Sequence, residues 1–170
     1  MPEETQTEDC VLAADRGAIR VLTLNRPATR NAIDLELRVV LAEALEAAMA
    51  DQAIRAVVLT GAAGTFCSGG DISTMRRQAA DGNRARIQAA QRVIRAIWDG
   101  PKPVLAAVEG YAAGAGASLA LACDRVVAAE DATFVMSFSR VGIAGDMGIF
   151  ASLPARAGAG VARQLMLMPR

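Results

Sequence analysis

Residues 110–124 read GYAAGAGASLALACD, small residues through the first half and then an apolar helical pattern without a break. Such a stretch is a glycine-rich turn running straight into a buried helix start. A helix start carries unpaired N–H groups and the positive end of the helix dipole. Bare glycine and alanine let a ligand approach those groups closely, so the turn suits an anion or a carbonyl oxygen becoming one. A second glycine loop, FCSGGDI at 66–72, offers another set of bare N–H groups. Two such donors aimed at one point make an oxyanion hole. On the residue pattern alone, close helix–strand packing with no ligand explains the turn equally well. Two nucleotide-binding alternatives fail at the residues. GAGASL has Leu119 where G-x-G-x-x-G needs its third glycine, and no Gly-Lys-Ser/Thr phosphate loop occurs.

Histidine is absent from the 170 residues. That removes Ser-His, Cys-His and His-metal mechanisms together, and proton chemistry falls to Asp, Glu, Lys, Tyr or Cys. Cys10, Cys67 and Cys123 have no metal-ligand spacing, and their odd number argues against a disulfide framework. No metal is expected, and a reducing cytoplasm fits best. The 18 basic residues balance 18 acidic ones, so no basic face for nucleic acid is implied. The start, MPEETQTED, lacks the basic opening and apolar run of a signal peptide. Nowhere does the chain offer the roughly 20 charge-free apolar residues of a membrane span. With 53% hydrophobic residues but only 4% aromatic, the expected organisation is a disordered acidic tail over 1–10 and one domain over 11–170. Its core would pack through Ala, Val, Leu and Ile.

The elements that must position the two glycine turns follow from periodicity. Strands are expected at Val11–Ala14 and Ile19–Asn25 around an Asp15-Arg16-Gly17 turn, and at Ala56–Thr60, Val104–Glu109, Arg125–Ala129 and Thr133–Val135. The strand at 56–60 reads as buried on both faces. Asp34 caps a helix over Leu35–Ala50, and Arg84–Asp99 is a second helix with Ile87, Val93, Ile94 and Ile97 near one face. A third runs over about 116–123, residues 136–158 read as loop-rich, and Gly160–Met168 begins another helix. Alternating strands and helices imply an α/β fold with parallel strands.

TFCSGGDISTM, PKPVLAAVEGYAAGAGASLALACDRVVAAEDATF and RVGIAGDMGIFASLP occur in that order, preceded by Asn25-Arg26-Pro27 and Asn31-Ala32. Together they resemble the crotonase superfamily, the enoyl-CoA hydratase/isomerase family, over essentially the whole chain from Val11. The resemblance implies a ββα spiral of two stacked, mainly parallel sheets, assembled as a homotrimer or hexamer. It implies an acyl-CoA thioester as ligand, with coenzyme A part of the substrate and no further cofactor. By motif position, the two N–H donors to the thioester oxygen fall on Gly70 and Ala115. Ser68, Gly69, Asp71, Ile72 and Gly114 fall on the substrate and CoA side of the pocket, though Asp71 serves as readily to cap the helix after it.

Hydratases of this family use two glutamates, and their positions are taken here by Ser118 and Phe138. A hydroxyl without a partner base is a poor nucleophile and phenylalanine has no proton to exchange. Asp146, in Gly142-Ile143-Ala144-Gly145-Asp146-Met147-Gly148, matches the stretch in which the family's double-bond isomerases carry their proton-moving aspartate. Buried amid Ile143, Met147 and Ile149, it would have surroundings that favour proton shuttling. The readings that follow are an enoyl-CoA isomerase, a non-catalytic acyl-CoA binder, and a hydratase with a non-standard acid and base. Family members usually continue for several helices past Met168-Pro169-Arg170, so the expected C-terminal helical region is missing from this sequence and the helix at 160–168 is left partly uncovered.

Overall fold

The computed structural model describes residues 9–74 and 80–168. Most of the expected N-terminal tail therefore lies outside the described residues. Asp9 and Cys10 do not belong to it, since Asn25 donates to both of their carbonyls.

Strands β1 (Val11–Arg16) and β2 (Ile19–Leu24) form an antiparallel hairpin. From β2 the sheet continues in parallel through β3 (Ala56–Gly61), β4 (Val104–Val108) and β6 (Arg125–Ala128), in the order β1-β2-β3-β4-β6. A second, smaller sheet pairs β5 (Tyr111–Ala113) with β7 (Thr133–Val135) in parallel. Single bridges Cys67↔Ala112 and Ile33↔Gly70 extend it. The α/β architecture with mainly parallel sheets agrees with expectation. One detail does not: in β3 only Val57 and Leu59 are fully buried, alternating with half-buried neighbours, so this strand is closed on one face rather than both.

Helix α1 (Leu35–Ala50) starts where Asp34 accepts a hydrogen bond from the Leu37 N–H at 2.8 Å. It buries Leu37, Leu41, Leu45 and Ala48 and packs on α2 (Ala80–Trp98) and the large sheet. α2 begins earlier than its apolar pattern suggests, and Ile87 is exposed rather than core. α3 (Ala115–Ala122) is buried along nearly all its length. Its last carbonyls, which no helical N–H can reach, are met by side chains: Trp98 Nε1 donates to Ala122 at 2.9 Å, and Arg156 donates to Leu121 and Cys123.

The expected loop over 136–158 is half helix. α4 (Ile149–Ala157) and α5 (Ala159–Leu167) bury Ile149, Leu153 and Ala162 against Ala117, Met136 and Phe138. Pro154 lies inside α4 and costs about 3 kcal/mol. Burying Ile149 and Leu153 one turn apart contributes about 1.5–3 kcal/mol each, enough together to offset that cost. Among the described residues no helix is long and apolar enough to cross a membrane.

The segment between β2 and α1 is pinned by Asn31, which is fully buried and left-handed at φ 58°. Its Oδ1 accepts from the Arg26 N–H at 2.9 Å, and its Nδ2 donates to Ala62 at 2.9 Å and Thr65 at 2.7 Å. Asn31→Ala strands all three partners and should lower unfolding stability by about 2–4 kcal/mol, read as a fall in the urea midpoint at unchanged slope.

Candidate active site

The bridge Cys67↔Ala112 aligns two parallel segments, with the Cys67 N–H donating to Tyr111 and the Ala113 N–H donating to Cys67, both at 2.9 Å. Three residues onward in each segment stand Gly70 and Ala115. Around Gly70, the Gly69 carbonyl accepts from Ile33 at 2.7 Å and the Asp71 N–H donates to Ile33 at 2.9 Å. The flanking groups are thus used and the Gly70 N–H is left over. On the other side the Gly114 N–H donates to Val135 at 2.8 Å. Ala115 is the first residue of α3, where an N–H has no helical acceptor. Neither the Gly70 nor the Ala115 N–H has an acceptor among the described residues.

Two glycines permit this approach. A Cβ on Gly116 would stand 2.5 Å from the Cys67 carbonyl oxygen, so α3 can lie on the 66–71 loop only without one. Gly69, at φ 111°, would put a Cβ 2.9 Å from the Ala113 carbonyl oxygen.

A cleft of about 420 Å³ is lined by both Gly70 and Ala115. Ser68, Gly69, Gly70, Asp71, Ile72, Gly114, Ala115, Phe138 and Asp146 all line it, so the structure gathers those sequence candidates into one place. Ser118 is the exception. It is fully buried, its Oγ donates to the Gly114 carbonyl at 3.3 Å, and it is not on the wall. Ser68 Oγ donates to Thr29 at 3.0 Å.

Asp71 takes the capping role. Its Oδ1 accepts from the Ser73 N–H at 3.1 Å and Ser73 Oγ at 2.6 Å, and its Oδ2 lies 3.3 Å from the Arg26 guanidinium. Hydrogen bonds from Ser73, assisted by Arg26, hold the Asp71 carboxyl below its ordinary range. Cys67 and Cys123 are core thiols whose pKa burial pushes up to about 12, so neither is a thiolate nucleophile near neutral pH.

Asp146 departs from expectation in its surroundings. Met147 and Ile149 are buried, but Ile143 is exposed and the Asp146 side chain is itself 41% exposed. The chain leaves it through two left-handed residues, Met147 at φ 51° and Gly148 at φ 78°. These turn the backbone into α4, so the aspartate projects from a tight corner and not from an apolar wall. Its Oδ2 lies 3.3 Å from Arg38 Nη2, while Oδ1 is buried without a partner. Arg38 was not among the sequence candidates. Its signal was present, a charged residue on the core-facing stripe of α1 beside Leu37, Leu41 and Leu45. Burial pulls its pKa down and the charge of Asp146 opposes that. Beyond the pair lies a second cleft of about 540 Å³, bordered by Arg38, Ile87, Ile94, Trp98 and Asp146.

Comparison with known proteins bears on the family and the fold. The sequence pattern of the family described as enoyl-CoA hydratase/isomerase matches residues 14–170. A probable enoyl-CoA hydratase of Rhodobacter capsulatus is 41% identical over 82% of this chain and 54% of its own length. The 1,2-epoxyphenylacetyl-CoA isomerase of Escherichia coli is 39% identical over 93% of this chain and 62% of its own. The solved structure of an enoyl-CoA hydratase from Polaromonas sp. JS666 superposes with a TM-score of 0.87 at 44% identity, covering 92% of this chain and 62% of that one. The chain thus spans between about half and two thirds of the length of these relatives.

The depressed Asp71 carboxyl has a pH consequence. Its contacts stabilise the fold fully above the ordinary carboxylate value, and that stability is lost as pH falls through the lower folded-state value. Asp71→Asn should therefore lower Tm at pH 7, and the gap to the unmodified protein should narrow between about pH 5 and about pH 3, followed by thermal melts across that range.

Proposed function

The chain belongs to the enoyl-CoA hydratase/isomerase family, and from that membership we propose that it isomerises an enoyl-CoA thioester by moving one proton between two substrate carbons. The observation that carries this reading is the pair of carboxylates on the cleft wall. Asp71 is engaged on both oxygens, whereas the Asp146 side chain is 41% exposed and among the described residues pairs only with Arg38. At the two positions where hydratases of the family carry glutamates stand Ser118, tied to a backbone carbonyl, and Phe138.

In this reading the thioester oxygen accepts hydrogen bonds from the Gly70 and Ala115 N–H groups. Asp146 takes a proton from a carbon near the thioester, and the electron pair moves onto the held oxygen as an enolate. The same carboxyl returns the proton to the other end of the allylic system. A donor of this kind contributes about 3–4 kcal/mol of transition-state stabilisation. Because both donors are main-chain groups, alanine at 115 serves as well as glycine. A single base suffices, since the proton removed is the proton returned. Assembly as a homotrimer or hexamer would cover the exposed apolar residues Phe150, Val161 and Leu165 of α4 and α5.

Hydration is the second reading, favoured by the names of relatives such as the Rhodobacter protein. One comparison separates the two. With trans-3-hexenoyl-CoA, Asp146→Asn should lower kcat for isomerisation by about 10²–10⁴-fold while KM changes little. Hydration of trans-2-hexenoyl-CoA that is robust and survives the substitution would overturn the isomerase reading. Calorimetric binding of acyl-CoA without turnover of either thioester would make the protein a binder.

A further inference from the structure

Arg38 reaches the cleft from α1, and no step of the proposed reaction uses it. Its side chain is 5% exposed, and a guanidinium so placed needs a counter-charge. Asp146 supplies it, through the single Nη2–Oδ2 contact of 3.3 Å. Arg38 Nη1 also donates to the Arg86 carbonyl at 3.4 Å, the long end of a hydrogen bond. Among the described residues Arg38 Nε and Asp146 Oδ1 are both buried and have no partner. Asp146 borders both clefts, whereas Arg38 borders only the second. Asp146 thus shares the second cleft with Arg38 and the first with Gly70 and Ala115.

We propose that Arg38 is the positioning residue of Asp146, holding its carboxylate in place by a charge-assisted hydrogen bond to Oδ2. This rests on Asp146 being the base. As the substrate C–H bond breaks, an O–H bond forms at the Asp146 carboxyl and the electron pair goes to the thioester oxygen. The O–H bond then breaks as the proton is delivered to the second carbon. Arg38 stays protonated throughout, because a guanidinium does not titrate in this range. The other charged or titratable groups facing the pair are Arg86, Arg95 and Asp99 of α2, the Cys67 thiol, and Arg30 and Asp71 across the first cleft. Asp71 is already matched by Arg26, and burial keeps Cys67 neutral.

The test uses the full chain and trans-3-hexenoyl-CoA. Arg38→Met should lower kcat about ten- to a hundredfold with KM nearly unchanged. Arg38→Lys, which keeps the charge, should restore part of kcat, and it carries the comparison if Arg38→Met does not fold. Thermal melts follow the pair without turnover. Asp146→Asn should lower Tm in the wild-type background and change it little beside Arg38→Met. If Asp146→Asn is inactive while Arg38→Met leaves kcat unchanged, the positioning role is overturned and the base stands. An equal fall in Tm in both backgrounds overturns the pairing. Full activity in Asp146→Asn, or no turnover by the unmodified chain, overturns both readings.

Discussion

Everything at the cleft hangs on the contact between the Cys67 and Ala112 segments, because an N–H pair useful for holding one oxygen must converge from two distant parts of the chain. Parallel pairing at that bridge fixes the register, and a shift of one residue would turn the wrong groups forward. The carbonyl of Cys67 lies where a Cβ on Gly116 would be, so the helix start can sit against the loop only while that position stays bare. The far end of α3 is held as firmly, by Trp98 and Arg156 on its terminal carbonyls. A helix fixed at both ends presents its first N–H without adjustment when a ligand arrives, which is the condition under which such a donor contributes most.

The 66–72 loop needs comparable support, and it comes from the segment before α1. Arg26 reaches Asp34 at 3.0 Å and Asp71 at 3.3 Å and also donates to the Ala32 carbonyl at 2.6 Å, joining the α1 N-terminus to the residue after Gly70. Arg30 and Asn31 are both left-handed, at φ 52° and 58°. Such conformations cost about 1–3 kcal/mol each for residues other than glycine. The three hydrogen bonds of the Asn31 side chain hold them in place. Stability and site geometry are therefore the same network read from two ends.

Much of this was legible in the residues. The two glycine turns, the Asp34 cap, the parallel strands and α1 follow from local chemistry and periodicity, and the structure keeps them. What failed depended on tertiary contacts. α4 was hidden by Gly145, Gly148 and Pro154, which read as loop, and forms because Ile149 and Leu153 find Phe138 and Ala117 across the chain. Asp71 carried two equal readings until Ser73 and Arg26 appeared beside it. The surroundings of Asp146 were misjudged because its apolar sequence neighbours point elsewhere once Met147 turns left-handed. Arg38 was overlooked since a lone arginine in an amphipathic helix ordinarily lies on the solvated face, and only its phase relative to Leu37, Leu41 and Leu45 says otherwise.

The charges at the cleft set limits on its chemistry. Adding water across a double bond requires a group to orient and deprotonate the water and a proton to reach the neighbouring carbon. With Phe138 and a backbone-tied Ser118 where the resemblance implies glutamates, neither task falls to a carboxylate at those two positions. Moving a double bond asks less: one carboxylate that binds a proton briefly, and a place for the electron pair meanwhile. In the proposed reading Asp146 is that carboxylate, and Gly70 and Ala115, which line the same cleft, supply the place for the electron pair. Arg38, buried beside Asp146, would keep the carboxylate where it is. In a transfer between two carbons the proton need only be handed on, so that reading asks no more of the site than one carboxylate held in place.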